Sequence, residues 1–175
     1  MNTIRVVALL RACRRRETGF TLLEVTITLV IGGILAAIAY PSFLDQANKA
    51  KQAEAKTYVG SMNRAQQAHL LEHSRFASSL GDLGLDITQQ TINYRYGTNT
   101  GPDDRVYAVQ FAQSLSPTLK PFSGITAVVQ SGSDAAVVTL LCESDAKAAG
   151  KAPAPRYDSA DRSIACATGS REMAQ

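Results

Sequence analysis

Residues 14–44 read RRRETGFTLLEVTITLVIGGILAAIAYPSFL, and this stretch decides the fold. Twenty consecutive residues within it, Val25–Leu44, carry no charge. A helix of that length spans about 30 Å, the thickness of the hydrocarbon core of a bilayer. The arginines that precede the apolar run favour an orientation with the N-terminus in the cytoplasm. The pattern therefore predicts one membrane-spanning helix, with the rest of the chain on the outer side of the membrane.

The positive charge of the chain is concentrated at its N-terminus. The whole chain has a net charge of +3, but residues 1–19 alone have a net charge of +4, and the other 156 residues have a net charge of −1. A body without net positive charge and without tryptophan lacks the basic surface that is typical of nucleic-acid-binding domains. We therefore expect no specific nucleic-acid partner.

Two processing schemes fit this layout. An ordinary secretory signal would be cut after the A-x-A pattern at Ala37–Ala39, and the mature chain would begin at Tyr40. Alternatively, cleavage before the apolar run would leave the helix on the mature protein. The long basic region, the acidic residue Glu24 and the helical pattern that continues past Tyr40 favour the second scheme. An uncleaved membrane anchor is a third alternative.

Glu24 is the one charged residue between Phe20 and Leu44. An ionised carboxylate in a bilayer costs at least a few kcal/mol, so an acid at this depth is a functional candidate. If the chain is cut between Gly19 and Phe20, Phe20 acquires an α-amine that is largely cationic near neutral pH. The spacing predicts that the amine of a neighbouring copy neutralises Glu24.

The run Arg14–Glu24 resembles the type IV prepilin signature, with a basic leader, a glycine before the cut, a phenylalanine after it and a glutamate at the fifth mature position. This resemblance implies that a prepilin peptidase cuts after Gly19 and that Phe20 becomes N-methylated. It also implies that Pro41 kinks the helix, as a proline does at this place in the family.

Later segments extend the resemblance. Residues 48–56 and 60–68 resemble cyanobacterial-type pilins, and the pseudopilins of type II secretion are close relatives of the same family. The close match covers about residues 14–85, and the later part of the chain resembles the family only in layout. The resemblance implies the pilin fold, in which a long helix packs on a sheet.

Residues 42–73 are predicted to form a second, amphipathic stretch of the same helix. Its apolar residues recur at three- and four-residue steps along one face: Ala55, Tyr58, Val59, Met62 and Ala65. Pro41 should bend the helix without ending it. Gly32 and Gly33 each weaken a helix by about 1 kcal/mol relative to alanine, but they also allow another helix to approach closely. Both roles, kinking and close packing, are open.

The rest of the chain shows the signals of a sheet. Apolar anchors for a connecting loop are expected at Phe76, Leu80, Leu83 and Leu85. Alternating segments predict strands at Ile92–Tyr96, Val106–Phe111, Ile125–Gln130 and Ala135–Cys142, with turns at Gly97–Asp104 and Ser131–Asp134. The predicted fold is therefore α+β, with one long N-terminal helix on a roughly four-stranded antiparallel sheet.

Three cysteines are present, and Cys13 lies in the predicted leader. The other two, Cys142 and Cys166, predict a disulfide in an exported domain, whereas two free thiols would be expected in a cytosolic one. The bond would close a loop of about 25 residues, contribute roughly 3 kcal/mol to stability and pin a weakly structured tail to the last strand.

Two groups of residues were considered as catalytic or metal sites. His69–His73 matches H-x-x-E-H, a zinc-protease pattern, but nothing downstream supplies further ligands, and a polar helix end is the simpler interpretation. Asp145, Asp158 and Asp161 lack the spacing of a calcium-binding loop. We therefore expect no enzyme activity, no metal site and no cofactor.

The leading hypothesis is a structural subunit of a type IV pilus. It comprises a leader at residues 1–19, a hydrophobic helix at 20–41 and an exported domain at 42–175 that ends in a disulfide loop. The expected partners are further copies of the chain or other pilins, a prepilin peptidase, the inner-membrane assembly machinery and the membrane itself. The expected location is the inner membrane, with a cytoplasmic N-terminus, and then the extracellular pilus. The alternatives are a type II secretion pseudopilin and a membrane-anchored exported binding domain.

Overall fold

The computed structural model describes residues 19–131 and 134–173. The predicted leader up to residue 18, and Gly132 and Ser133 of the last predicted turn, lie outside the described residues. The structure divides into two units, which meet between Leu44 and Asp45.

One helix dominates the described chain. Helix α1 spans Leu22–His73, 52 residues, and contains Pro41. Its helical pattern therefore continues through the proline, as predicted. The five residues of the predicted apolar face are all buried or packed against the core. Beyond the helix, a short 3-10 turn at Gly81–Leu83 leads toward the sheet, and Leu83 in it is buried.

The strands are β1 Tyr94–Thr100, β2 Tyr107–Ser114, β3 Phe122–Ser131, β4 Asp134–Ser144, β5 Arg156–Asp158, β6 Ser163–Ala165 and β7 Ser170–Met173. Five of them form an antiparallel sheet in the order β1-β2-β3-β4-β7, and β5 and β6 form a separate two-stranded sheet. The α+β fold class is confirmed. The sheet has five strands where about four were expected, and the additional strand β7 comes from the tail.

The first strand corrects the sequence prediction. It begins two residues later than expected and includes Gly97–Thr100, which were assigned to a turn. Gly97 pairs with Phe111 of β2, and a Cβ at residue 97 would collide with the Phe111 ring. The glycine is therefore at this place because an aromatic ring covers the strand, not because the chain turns there.

The helix packs on one face of the sheet in the unit that begins at Asp45. Ala55, Val59 and Met62 of α1 share a core cluster with aromatic and aliphatic side chains of the strands: Tyr94, Tyr96, Ala112, Phe122 and Leu141. Gly124 of β3 lies directly under the helix, because a Cβ there would meet Asn63 and, at 2.9 Å, Val59.

Buried amides connect the helix to the rest of this unit. The Gln66 side chain accepts a hydrogen bond from the Ala77 amide at 2.9 Å and donates to the Ala77 carbonyl at 2.8 Å and the Thr98 hydroxyl at 2.9 Å. The Asn63 amide donates to the Leu140 carbonyl at 3.2 Å. The Gln66 amide, paired at both its oxygen and its nitrogen, avoids the desolvation cost of an unpaired buried amide.

The tail covers the other face of the sheet. Ile125, Ala127, Leu140 and Cys142 form a second core cluster, and Tyr157, Ile164 and Cys166 pack against it. The structure contains the Cys142–Cys166 disulfide, with a Cα–Cα distance of 5.7 Å. The tail is more structured than expected from its Ala, Pro and Gly content, since it provides three strands and an apolar cover.

Two glycine variants test the close packing of helix and sheet. Gly124→Ala should lower the free energy of unfolding by about 1–3 kcal/mol, because the added methyl group is forced against Asn63 and Val59. Gly60→Ala is the control, because a Cβ at residue 60 would meet only the end of the Arg64 side chain, at 4.0 Å. That variant should gain up to about 1 kcal/mol from helix propensity. Denaturant unfolding of the detergent-purified chain measures both, and equal effects would contradict the packing described here.

Candidate functional site

The first residues of the described chain precede helix α1 and cap its N-terminus. Gly19, Phe20 and Thr21 precede α1 and are exposed. The Thr21 hydroxyl accepts a hydrogen bond from the Glu24 amide at 3.2 Å, so Thr21 is the N-cap. Thr21 and Glu24 thus occupy the two positions of a capping box, a local signal that the sequence reading passed over.

Glu24 therefore lies in the first turn of the helix, where the helix dipole favours a negative charge. No side chain in the described part of the chain donates a hydrogen bond to its carboxylate. Thr26 and Thr28, in contrast, each donate to a backbone carbonyl three residues earlier, at 2.8 Å. Within this segment the helix itself satisfies the threonine hydroxyls, whereas the Glu24 carboxylate has no side-chain donor among the described residues.

The segment up to Leu44 exposes a continuous apolar surface. Its exposed large side chains include Phe20, Leu22, Leu23, Ile27, Leu29, Val30, Ile31, Ile34, Leu35 and Ile38. Helix α1 is the one helix of the described residues that is long and apolar enough to cross a membrane. An apolar surface of this extent is typical of membrane segments and of protein–protein interfaces.

Gly32 and Gly33 have no packing partner within the chain, since a Cβ at either position would meet nothing within 4 Å. Contacts inside one copy therefore give no reason for glycine at these positions. The two roles left open by the sequence, kinking of the helix and close approach of a second helix, both stay predictions.

The two histidines stack on each other, with ring centroids 4.3 Å apart. Nδ1 of His69 lies 2.9 Å from the Arg75 carbonyl, so this ring is engaged with the turn that ends the helix. Among the described residues, no three His, Cys, Asp or Glu side chains come together in a way that could hold a metal ion.

Asp158 and Asp161 of the tail form hydrogen bonds that stabilise a turn. The Asp158 carboxylate accepts the Ala160 amide at 2.9 Å. The Asp161 carboxylate accepts both the hydroxyl, at 2.7 Å, and the amide, at 3.1 Å, of Ser163. These hydrogen bonds lower the pKa of Asp161 below its usual value. The hairpin between β5 and β6 is thereby closed by carboxylate–backbone hydrogen bonds.

A partly buried ion-pair network joins β7 to the sheet, with the Arg171 side chain 60% exposed. Glu143 of β4 lies 2.6 Å from the Lys120 ammonium and 3.1 Å from the Arg171 guanidinium. The Glu143 and Lys120 side chains are only 11% and 15% exposed. Burial opposes ionisation of Glu143, but the hydrogen bonds from Lys120 and Arg171 outweigh it and lower its pKa. The sequence reading did not single out any of these three residues.

Comparison with known families identifies the chain. The model of type IV pilin-like G and H proteins matches residues 52–167. The chain belongs to this family. The model of the prokaryotic N-terminal methylation motif matches residues 14–40. The resemblance inferred from the sequence is confirmed, and it extends through the strands beyond residue 85.

The relatives of this pilin-like chain come from two kinds of assembly. The type IV major pilin protein PilA of Myxococcus xanthus is 41% identical over 89 residues, 51% of this chain and 40% of that protein. The type II secretion system core protein G of Vibrio cholerae is 38% identical over 89 residues, 47% of this chain and 60% of that protein. The fimbrial protein of Neisseria meningitidis is 30% identical over 98 residues, 56% of this chain and 57% of that protein. The chain thus spans about half the length of these relatives.

The ion-pair network predicts how the stability of the pilin-like chain depends on pH. Because the folded pKa of Glu143 lies below its ordinary value of 4.5, its contribution is present above that value and is lost as the pH falls through the folded pKa. Glu143→Gln should lower the free energy of unfolding by about 2 kcal/mol at pH 7, and the difference from the unsubstituted protein should shrink toward pH 3.

Thermal unfolding of the detergent-purified chain across this pH range is the measurement. Glu172→Gln on the neighbouring strand is the matched control, because Glu172 is exposed. A pH profile of Glu143→Gln that runs parallel to the unsubstituted one would show that the Glu143 carboxylate is not the titrating group.

Proposed function

We propose that this chain is a structural subunit of a type IV pilus, cut after Gly19 and polymerised through the N-terminal part of α1. The observation that carries the proposal is the start of the helix, which is capped, apolar and exposed and has Glu24 as its one unpaired charge. This segment lies within the match to the N-terminal methylation motif. The similarity to a major pilin and a fimbrial protein supports it.

The proposed mechanism follows from the environment of Glu24. In a filament of packed apolar helices, an unpaired carboxylate costs several kcal/mol per subunit. The N-terminal amine of Phe20 on a neighbouring subunit would offset this cost and set the axial register between the two helices. The apolar side chains would exchange lipid contacts for contacts with other helices, and the smooth surface at Gly32 and Gly33 would let those helices approach closely.

The domain organisation follows the same proposal. Residues 1–19 are the leader, residues 20–41 are the membrane and filament helix, with Pro41 at its kink, and residues 42–175 are the exported domain. The precursor spans the inner membrane with its N-terminus in the cytoplasm, and the mature form enters an extracellular pilus. A prepilin peptidase, which also methylates Phe20, and an inner-membrane assembly machinery are the partners required. This structural role needs no catalytic site.

A type II secretion pseudopilin is the second candidate, and it is favoured by the similarity to core protein G from several bacteria. The helix and its charge would have the same roles in that assembly. Deleting the gene separates the two candidates, because loss of surface filaments indicates a pilin and loss of protein secretion with intact filaments indicates a pseudopilin.

Cleavage is predicted between Gly19 and Phe20, because the exposed segment before the N-cap is accessible to a peptidase. The intact mass of the membrane-extracted protein should correspond to a chain that begins at Phe20 and carries one added methyl group. Deletion of the prepilin peptidase gene should leave the full precursor. A mature chain that begins at Tyr40 would show that the apolar segment is an ordinary signal, and the filament proposal would fail.

Glu24→Ala is predicted to abolish filament assembly while membrane insertion and cleavage continue. Insertion should be unchanged or improved, because a charge leaves the apolar segment. Assembly should fail, because the incoming amine has lost its partner. The measurement compares sheared surface filaments with the processed membrane pool.

Glu24→Gln is the matched control for the helix start, because glutamine is equally suited to the capping box but carries no charge. It should assemble as poorly as Glu24→Ala. Normal filaments from Glu24→Gln would show that capping, and not the charge, is what assembly requires, and normal filaments from both variants would exclude Glu24 as the docking group.

A further inference from the structure

A groove of about 370 Å³ opens in the unit that begins at Asp45. One wall is the start of this unit's helix, from Asp45 to Lys56, and the other wall carries Lys120, Lys147 and Arg171. Apolar atoms of Ala53, Phe122 and Met173 line it between these walls. The groove therefore combines an apolar lining with a basic rim, a combination that neither the fold nor the proposed docking of Glu24 explains.

The basic side chains of the groove are only partly neutralised by the chain itself. Its lining residues comprise five cations and two acids. Glu143 is shared between Lys120 and Arg171, and Asp45 lies 3.4 Å from Lys147. Lys49 and Lys56 form no ion pair within the described residues. The groove thus has a net charge of +3 and presents two unpaired ammonium groups on one helix face.

The opposite end of the same helix carries the complementary chemistry. Glu72 is exposed in the last turn, and Asp104 is held beside the end of the helix by a 2.7 Å hydrogen bond from the Phe76 amide to its carbonyl. Asp82 and Asp104 line one shallow cavity there, together with Arg75, His69 and His73. Glu72, Asp82 and Asp104 outnumber the one arginine at this end, and Nδ1 of His73 lies 4.0 Å from Glu72. The neighbouring Leu71 is 80% exposed and offers an apolar side chain that suits the apolar lining of the groove.

We propose that the groove binds the acidic helix end of a second copy of this chain, with Glu72 and Asp104 facing Lys49 and Lys56. The two ends are separated by 23 residues of helix from Lys49 to Glu72, about 35 Å, so they cannot meet within one copy. A contact between different surfaces of identical subunits repeats without closing and generates a filament. The inference rests on the proposed function, and it adds a second contact, head-to-tail between the domains that begin at Asp45, to the one made by Glu24.

Charge reversal in cells tests the contact. Lys49→Glu/Lys56→Glu should reduce sheared filaments by about tenfold or more, because like charges then face each other at every subunit contact. Lys51→Glu/Arg64→Glu is the matched control, since both are exposed cations of the same helix and neither lines the groove. It should assemble within about twofold of the unsubstituted chain, as expected for exposed charges without a partner.

The decisive variant combines the groove reversal with Glu72→Lys/Asp104→Lys. The acidic-end reversal alone should also fail to assemble, and the fourfold variant should regain filaments because opposite charges face each other again. If the fourfold variant stays defective, or if the groove reversal assembles like its control, the proposal is wrong. If the groove binds a lipid headgroup or DNA instead, the fourfold variant would stay defective.

A second measurement needs no variant. Zero-length carbodiimide treatment of filaments from unsubstituted cells should link Lys49 or Lys56 to Glu72 or Asp104 of another subunit, identified by peptide mass. Absence of these links overturns the contact even if a reversed variant fails to fold. If unsubstituted cells make no filaments at all, the pilin proposal fails; if they make filaments without these links, only the groove contact fails.

Discussion

The structure depends on one helix that serves two environments along a single run of residues. Up to Leu44 its side chains are uncharged apart from Glu24 and mostly apolar on all sides, and from Asp45 the buried residues are confined to one face. A helix satisfies its own backbone hydrogen bonds, so it can continue unbroken from the exposed apolar segment into the part that packs on the sheet. The change of environment is therefore made by side chains alone, and Pro41 can lie within the helix because good helix formers follow it.

In the second half of the helix, a polar side chain fixes the position of the loop and the strand that follow. Gln66 is fully buried and makes three hydrogen bonds, which tie the helix to the loop at Ala77 and to β1 at Thr98. Apolar packing alone is tolerant of small shifts, whereas a buried amide is satisfied in few geometries. The position of β1, and through pairing that of the rest of the sheet, is set by this side chain as well as by the apolar cluster.

Periodicity was sufficient to predict the helix face, and strand propensity the inner strands. Val59 and Met62 recur at helical spacing, and β3 and β4 are rich in apolar and β-branched residues. Burial of Gln66 could not be predicted, because its partners are 11 and 32 residues away. The strand β7 has no apolar alternation and forms because β4 offers an edge and Glu143 attracts Arg171. Of the candidate site, Glu24 followed from the cost of a charge among apolar residues, and Thr21 carried a readable capping signal.

Some charges of this chain form ion pairs within the fold, whereas Glu24, Lys49 and Lys56 form none among the described residues. The free-energy cost of leaving these charges unpaired differs greatly between Glu24 and the two lysines. An exposed lysine such as Lys49 is well solvated, and a surface ion pair contributes about 0–1 kcal/mol. A carboxylate among hydrocarbon side chains costs at least a few kcal/mol until it is paired. In the proposed filament, Glu24 would therefore decide whether a subunit is incorporated. The ion pairs proposed for Lys49 and Lys56 are each weak, and they gain importance because they repeat at every subunit of a filament. They also exclude wrong registers, since like charges that face each other cost more than a correct pair contributes.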